Sequence, residues 1–290
     1  MKLEMGWGAI LSGTAIVSAL VMMLPSIGIS SDVAQIAESI TVLIDIEGLP
    51  SRTGSGVIIA RNNDTYYVLT AAHVVQRPDY PYVIVTPDQQ RYSLDYQTVK
   101  IIPNIDLAIL EFTSSQTYSV ARLADSNQVN VGDPVYVGGF PSVGGSVTQQ
   151  GFRFLDDGSI AQIFDPPLEQ GYALVYRQDT VAGMSGGPVL DQVGRLVGIH
   201  GQLEITEDGM AQPFPYGIPI QTFVQLADST NIDLNDLGVR VDSTPIDVLV
   251  SQPSPSAPAT PPAGSLPTRP PVVPTGGNTT PGAICPGRSC

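Results

Sequence analysis

Gly183-Met184-Ser185-Gly186-Gly187-Pro188 is the stretch on which the reading of this chain turns. A serine set among glycines and closed by a proline is poorly suited to a core. Glycine supplies no packing and costs backbone entropy; its use is to let the chain turn tightly and lie close to something else. On such a turn the serine hydroxyl is exposed and the neighbouring N–H groups face outward. An acyl-transfer nucleophile beside an oxyanion hole requires that arrangement. A glycine-rich hairpin with an incidental serine satisfies the same letters. The rest of the chain must therefore supply a base, an orienting acid and a fold.

Composition narrows the field. The 290 residues, 42% of them hydrophobic, suffice for one large or two small domains with a sizeable core. The 29 glycines and 26 prolines favour turns and short strands over long helices. A net charge of −14, with Lys2 and Lys100 as the only lysines, argues against a nucleic-acid partner. Cys285 and Cys290 both stand in the last six residues, so the body of the chain has no disulfide and no thiol chemistry. The only histidines are His73 and His200, and neither has a cysteine nearby. A conventional His/Cys zinc site is therefore not expected. Any histidine-dependent chemistry uses one of these two.

The ends of the chain differ from its middle. Met5 to Ile29 is uncharged and mostly apolar after Lys2, and ends in small residues. Residues 1–31 thus read as a secretory signal peptide or a retained N-terminal anchor. Either places the remainder outside the cytoplasm, as a secreted, periplasmic or envelope-attached protein. From Ser243 onward the composition shifts, and twelve of the 26 prolines fall in 243–290. Such a segment buries too little apolar surface to fold and reads as an extended tail. Its two cysteines can close a small loop or pair with another chain. The folded region is expected over 32–242.

Within that region short β-branched runs alternate with turn signals. Strands are expected at Ser39–Glu47, Gly54–Ala60, Tyr66–Thr70, Tyr82–Thr86, Thr98–Ile102 and Leu107–Phe112. A second set follows at Pro134–Val137, Val147–Leu155, Tyr172–Arg177, Pro188–Leu190, Arg195–His200 and Tyr216–Ile220. Helical periodicity is read only near the end, over about 221–227. The fold class is all-β, with two β domains, about 33–127 and 128–220, and a cleft between them.

Two further residues complete a constellation. His73 follows a strand in Thr70-Ala71-Ala72-His73, where small neighbours let the imidazole lie at a cleft wall. Asp106 opens the apolar run Leu107–Leu110 and so enters a buried strand, where a carboxylate needs a partner. A histidine N–H is a good one, because the carboxylate then fixes the tautomer and steadies the imidazolium. A core histidine and a turn-capping aspartate are the plainer readings of the same residues.

Taken together, Thr70-Ala71-Ala72-His73, Asp106-Leu107-Ala108 and the Gly183–Pro188 stretch resemble the chymotrypsin-fold, trypsin-like serine proteases. The order His, Asp, Ser is theirs, and the likeness covers roughly 35–240. It implies two antiparallel six-stranded β-barrels with a short C-terminal helix. It also implies a serine endopeptidase in which Ser185 attacks, His73 shuttles the proton and Asp106 orients it. Gly183 and Ser185 would hold the oxyanion through their N–H groups. No cofactor and no metal is implied; the partner is a polypeptide substrate and a monomer is the simplest state. Met184 stands where animal members carry an acidic residue that receives a new N-terminus, so activation by that ion pair is not expected.

Specificity points in two directions. Gly198-Ile199-His200, fifteen residues past Ser185, with Thr180 and Gly139-Phe140-Pro141, is similar to the secreted bacterial glutamyl endopeptidases. Thr180, His200 and Gly201 are then expected to bind substrate, with a preference for cleavage after Glu. Asp179 stands where trypsin-like members carry the aspartate that selects Lys or Arg. If it enters the pocket it opposes glutamate. A broad-specificity protease of the high-temperature-requirement kind and a non-catalytic protease-fold binding module are the alternatives.

Overall fold

Val57-Ile58-Ile59-Ala60 and Leu107-Ala108-Ile109-Leu110 contain no polar residue, and a strand without alternation must be covered on both faces. The computed structural model covers them so. It describes residues 29–49, 52–142, 151–205, 211–227 and 233–250. Val57, Ile59 and Ile109 face a core shared by both halves of the molecule, while Ile58, Ala108 and Leu110 face the interior of the N-terminal half. The chain forms two units, Met1–Gln252 and Pro253–Cys290, and every described residue lies in the first. The apolar segment 1–28, and the tail with Cys285 and Cys290, lie outside the described residues.

The N-terminal sheet contains β1 (Thr41–Ile46), β2 (Gly54–Asn62), β3 (Thr65–Thr70), β4 (Tyr82–Val85), β5 (Arg91–Ser93), β6 (Lys100–Ile101) and β7 (Ala108–Thr113). They pair antiparallel in the order β5-β4-β1-β2-β3-β7-β6. The C-terminal half contains β8 (Leu123–Ala124), β9 (Pro134–Gly139), β10 (Arg153–Ile163), β11 (Leu174–Arg177), β12 (Pro188–Leu190), β13 (Leu196–Ile205), β14 (Ala211–Pro219) and β15 (Val241–Asp242). Here β12-β9-β10-β11-β14-β13 closes on itself through the β12–β13 pairing, giving a six-stranded antiparallel barrel. β8 adds to it in parallel through Leu123 and Leu196. The fold is thus the expected chymotrypsin-like double barrel, with the C-terminal ring closed and the N-terminal sheet a curved seven-stranded arc.

Several local expectations need correction. Helix is not confined to the end of the chain: α1 (Ile29–Ile40) precedes β1. Val33, Ala37 and Ile40 lie on one helical face and are buried in the shared core. The expected strand beginning at Ser39 therefore begins at Thr41, whose hydroxyl caps the helix by donating to Ala37 O at 2.5 Å. β10 runs on to Ile163, well past the expected end at Leu155. Exposed Asp156 and Asp157 mask it, because a bulge between Leu155 and Gly158 turns them outward. The later helix, α2 (Ile220–Leu226), lies where it was expected and places Ile220 and Phe223 in the shared core. After β15 the described chain continues through a short helix, α3 (Ile246–Val250), and Arg195 donates to Thr244 O at 2.7 Å.

α1 supplies a sharp test of this packing. Ile40→Ala empties a site that is 2% exposed, and such truncations cost about 2–5 kcal/mol. Glu38→Ala, on the exposed face of the same helix, is expected to change stability by less than about 0.5 kcal/mol. Urea denaturation measures both; equal effects would contradict the placement of α1.

Candidate active site

The serine turn is built by close approach. Gly186, at φ +87, passes so near β2 that an added Cβ would sit 2.1 Å from Ser55 O. At Gly187 a Cβ would meet Gly138 O of β9, also at 2.1 Å. Only glycine fits either place. Between them and Gly183, Met184 is fully buried among Val137 and Val189 in the C-terminal barrel. Met184 therefore anchors the turn by packing. Ser55 N donates to Ser185 O at 2.8 Å, and Gly186 N donates to His200 O at 2.7 Å.

Ser55 itself was not singled out from sequence, where Gly54-Ser55-Gly56 reads only as strand. Its hydroxyl donates to Gly183 O at 2.9 Å and accepts from Phe140 N at 2.8 Å. A fully buried side chain of the N-terminal sheet thus fixes the Gly183 carbonyl in the other half. With that carbonyl held, the Gly183 and Ser185 N–H groups donate to no carbonyl among the described residues. Two free N–H groups flanking a serine are suited to receiving an oxyanion.

His73 stands on a single 3-10 turn, Ala72–Val74, directly after β3. Asp106 stands just before β7, which pairs with β3, so the sheet register brings the two together. Asp106 Oδ2 lies 2.6 Å from His73 Nδ1, and Asp106 Oδ1 accepts from His73 N at 2.8 Å. Tyr172 Oη also donates to Asp106 Oδ2. The carboxylate is 6% exposed, and burial alone would raise its pKa. The His73 hydrogen bonds and charge and the Tyr172 hydroxyl outweigh burial, and hold it below the ordinary carboxylate range.

Ser185 shares a cavity of about 300 Å³ with His73, Gly183, Ser142, Arg77 and Tyr80. Its hydroxyl is not turned to His73. It donates to Gly201 O at 2.6 Å, and no hydrogen bond joins Ser185 to His73. His73 and Ser185 thus line one cleft, with Asp106 bonded to His73 behind that wall and the serine hydroxyl held aside.

The expected specificity residues lie deeper. Thr180 and His200 are buried, and neither lines that cavity. His200 Nδ1 lies 2.6 Å from Tyr176 Oη, and the ring also bonds the Tyr216 backbone. Burial first, and then the charge of His73, pull its pKa down to about 3, so His200 is neutral at ordinary pH. Thr180 Oγ1 is buried with no partner among the described residues. Asp179, between buried Gln178 and Thr180, is exposed. At Gly201 an added Cβ would meet Tyr172 Cε1 at 2.1 Å. Among the described residues no group of three or more His, Cys, Asp or Glu is placed to hold a metal.

Comparison with known proteins places this site in a family. Residues 54–199, half of the chain, match the trypsin-like peptidase domain. The serine protease Do-like HtrB of Bacillus subtilis (strain 168) is 30% identical over 201 residues, which cover 64% of this chain and 41% of the relative. A probable periplasmic serine endoprotease DegP-like of Brucella suis biovar 1 is 29% identical over 210 residues, 70% of this chain and 38% of the relative. The chain therefore spans about two fifths of the length of these curated relatives. Among solved structures, an inactive serine-to-alanine mutant of Rv3671c from M. tuberculosis H37Rv is similar with a TM-score of 0.54 and 21% identity, covering 70% of this chain and 92% of the other. The double barrel and the family match together show that the chain belongs to the trypsin-like peptidases, the chymotrypsin-fold serine proteases.

Proposed function

We propose that this chain is a serine endopeptidase that cleaves polypeptides through an acyl-enzyme formed on Ser185. The observation that carries the reading is His73, bonded to Asp106 and lining the cavity that also holds Ser185. Asp106 accepts from both the ring and the backbone of His73, which keeps the proton on Nδ1 and leaves the Nε2 lone pair free. Rotation of the Ser185 side chain carries its hydroxyl from Gly201 O to that lone pair. Ser185 Oγ then adds to the scissile carbonyl carbon while its proton passes to His73 Nε2. The carbonyl oxygen becomes an oxyanion held by the N–H groups of Gly183 and Ser185. As the C–N bond breaks, His73 returns the proton to the leaving amine. Water, deprotonated by His73, adds to the acyl carbon in turn and frees Ser185.

The finer reading, cleavage after Glu, rests on Thr180 and on Asp179. The Thr180 hydroxyl has no partner among the described residues and so carries an unused donor beside the site, although it does not line the Ser185 cavity. Asp179, which would repel glutamate and attract lysine, is exposed. His200 joins Thr180 and Gly201 as a neutral wall held by Tyr176 and supplies no positive charge. The names of the relatives favour a second reading, a broad-specificity protease of the Do or DegP kind. The likeness to glutamyl endopeptidases rests on the short motifs around Thr180, Phe140 and His200. The relative named periplasmic, with the apolar 1–31 segment, supports a place outside the cytoplasm, in a signal-bearing or anchored form. Among the described residues no helix is long and apolar enough to cross a membrane. The protease region proper is taken as 32–242, acting as a monomer, with 243–290 as a tether.

A serine-directed organophosphonate is expected to label Ser185 in the folded protein, and Ser185→Ala to lower kcat by about 10⁶-fold. Absence of labelling in folded protein would instead support the binding-module alternative. For specificity, kcat/KM for a peptide cleaved after Glu should exceed that for matched Gln and Lys peptides, and Thr180→Val should shrink the gap. Equal rates for all three would favour the broad reading. The Glu-to-Gln ratio should also stay flat between about pH 6 and 8, because a histidine whose pKa is about 3 does not change charge there. A ratio that falls as pH rises through that window would mean a His200 cation holds the substrate.

A further inference from the structure

We propose that Tyr172 is a positioning residue of this site, its hydroxyl fixing the Asp106 carboxylate that orients His73. The inference rests on the protease reading above and adds a member to it. Asp106 Oδ2 takes two donors, His73 Nδ1 and Tyr172 Oη, while Oδ1 takes His73 N. Without Tyr172, every donor to this carboxylate among the described residues would come from His73 itself. A carboxylate held only by the group it must orient can turn with that group. The Tyr172 hydroxyl ties it to the other barrel.

The surrounding chain is shaped for this contact. Gln170 (φ +60) and Gly171 (φ +87) form a left-handed pair that turns the loop back toward Asp106. Gln170 O accepts from Asp106 N at 2.9 Å, so the 170–172 segment holds Asp106 by backbone as well as side chain. Tyr172 stands two residues before β11, and Ala173 N donates to Gly217 O at 3.1 Å. Gly201 leaves the space for the ring: a Cβ there would lie 2.3 Å from Tyr172 Oη. Gly201 also accepts the resting Ser185 hydroxyl, so the residue that admits Tyr172 touches the nucleophile. Burial first, and then the Asp106 charge, push the Tyr172 phenol far above its ordinary pKa. It therefore remains a donor at any working pH.

A buried tyrosine needs some partner merely to be satisfied, and a purely structural bond would look similar. What separates the two is coupling through Asp106. The titratable groups bonded to Asp106 are His73, from the Ala72–Val74 turn, and Tyr172; Tyr176 lies near enough to act on Tyr172 by charge, and His73 on His200 likewise. With one donor removed, the carboxylate concentrates its charge on the imidazolium. The acid limb of kcat/KM then moves to higher pH.

The test is Tyr172→Phe, alone and combined with Asp106→Asn. Alone it should lower kcat about ten- to hundredfold, the ordinary worth of a hydrogen bond to a charged group, with KM little changed. The acid limb should move up by as much as about one pH unit. In the Asp106→Asn background the same change should cost less than about twofold, since the carboxylate charge that Tyr172 positions is gone. Wild-type kcat with an unmoved limb, or an equal loss in both backgrounds, would overturn the proposal. If Tyr172→Phe shows no cooperative melting transition, proton NMR of the wild type and Asp106→Asn decides. The buried Tyr172 hydroxyl proton should shift between the two, and an unmoved resonance would overturn the proposal. A wild type that neither cleaves peptides nor takes the organophosphonate label defeats the protease reading instead. The NMR comparison still scores the Tyr172–Asp106 contact in that case.

Discussion

A carboxylate with little access to water is the constraint around which this molecule is arranged. Asp106 is an anion at the entrance of the apolar run Leu107–Leu110, and leaving it unpaired would be costly. Its partners come from two places. β3 and β7 pair in register, which brings the Ala72–Val74 turn and its histidine over the carboxylate. The loop before β11 contributes Gln170 O and Tyr172 Oη from the other half. Burial pushes the carboxylate toward neutrality, while the His73 bonds and charge and the Tyr172 hydroxyl push it further the other way. The net result is a fixed negative charge beneath an imidazole, which is what a proton shuttle requires.

The two halves could not meet at this point without the shared core. Val57, Leu69 and Ile109 from one sheet and Leu190, Leu196 and Ile199 from the other fill it. α1 and α2 close it with Val33, Ile40 and Phe223. Across that core runs a second set of polar ties. Ser55 binds the Gly183 carbonyl, the Phe140 N–H and the Ser185 carbonyl, and Thr70 Oγ1 in turn donates to Ser55 O at 2.6 Å. The serine turn and the histidine turn are thus both tied to one strand, β2. In the proposed chemistry the Ser185 hydroxyl, held by Gly201 O, is the member that must move.

What could be read in advance was what contiguous letters encode. The serine turn, the histidine after a strand and the aspartate opening an apolar run each carry their meaning locally. Their order along the chain supplied the fold. Contacts between distant residues were not legible. Tyr172 lies 66 positions from Asp106, and the contact depends on the φ angles of Gln170 and Gly171 and on the space left by Gly201. Ser55 lies 128 positions from Gly183 and looked like any strand residue between glycines. α1 was missed because its buried face is only three residues, Val33, Ala37 and Ile40, set beside an apolar N-terminal segment that obscured the period. The two bulge aspartates hid the continuation of β10 in the same way. Asp179 was undecidable as a letter; in the fold it lies past the end of β11, exposed between buried Gln178 and Thr180.

The central claim is that covalent chemistry occurs at Ser185 with His73 as its base. The most direct measurement is mass spectrometry of the acid-quenched protein after brief mixing with an activated peptide ester. The account predicts one acyl group, mapped to the peptide that contains Gly183–Pro188, and its loss in His73→Ala. Turnover of the ester with no acyl group on Ser185, or acylation undiminished in His73→Ala, would contradict it.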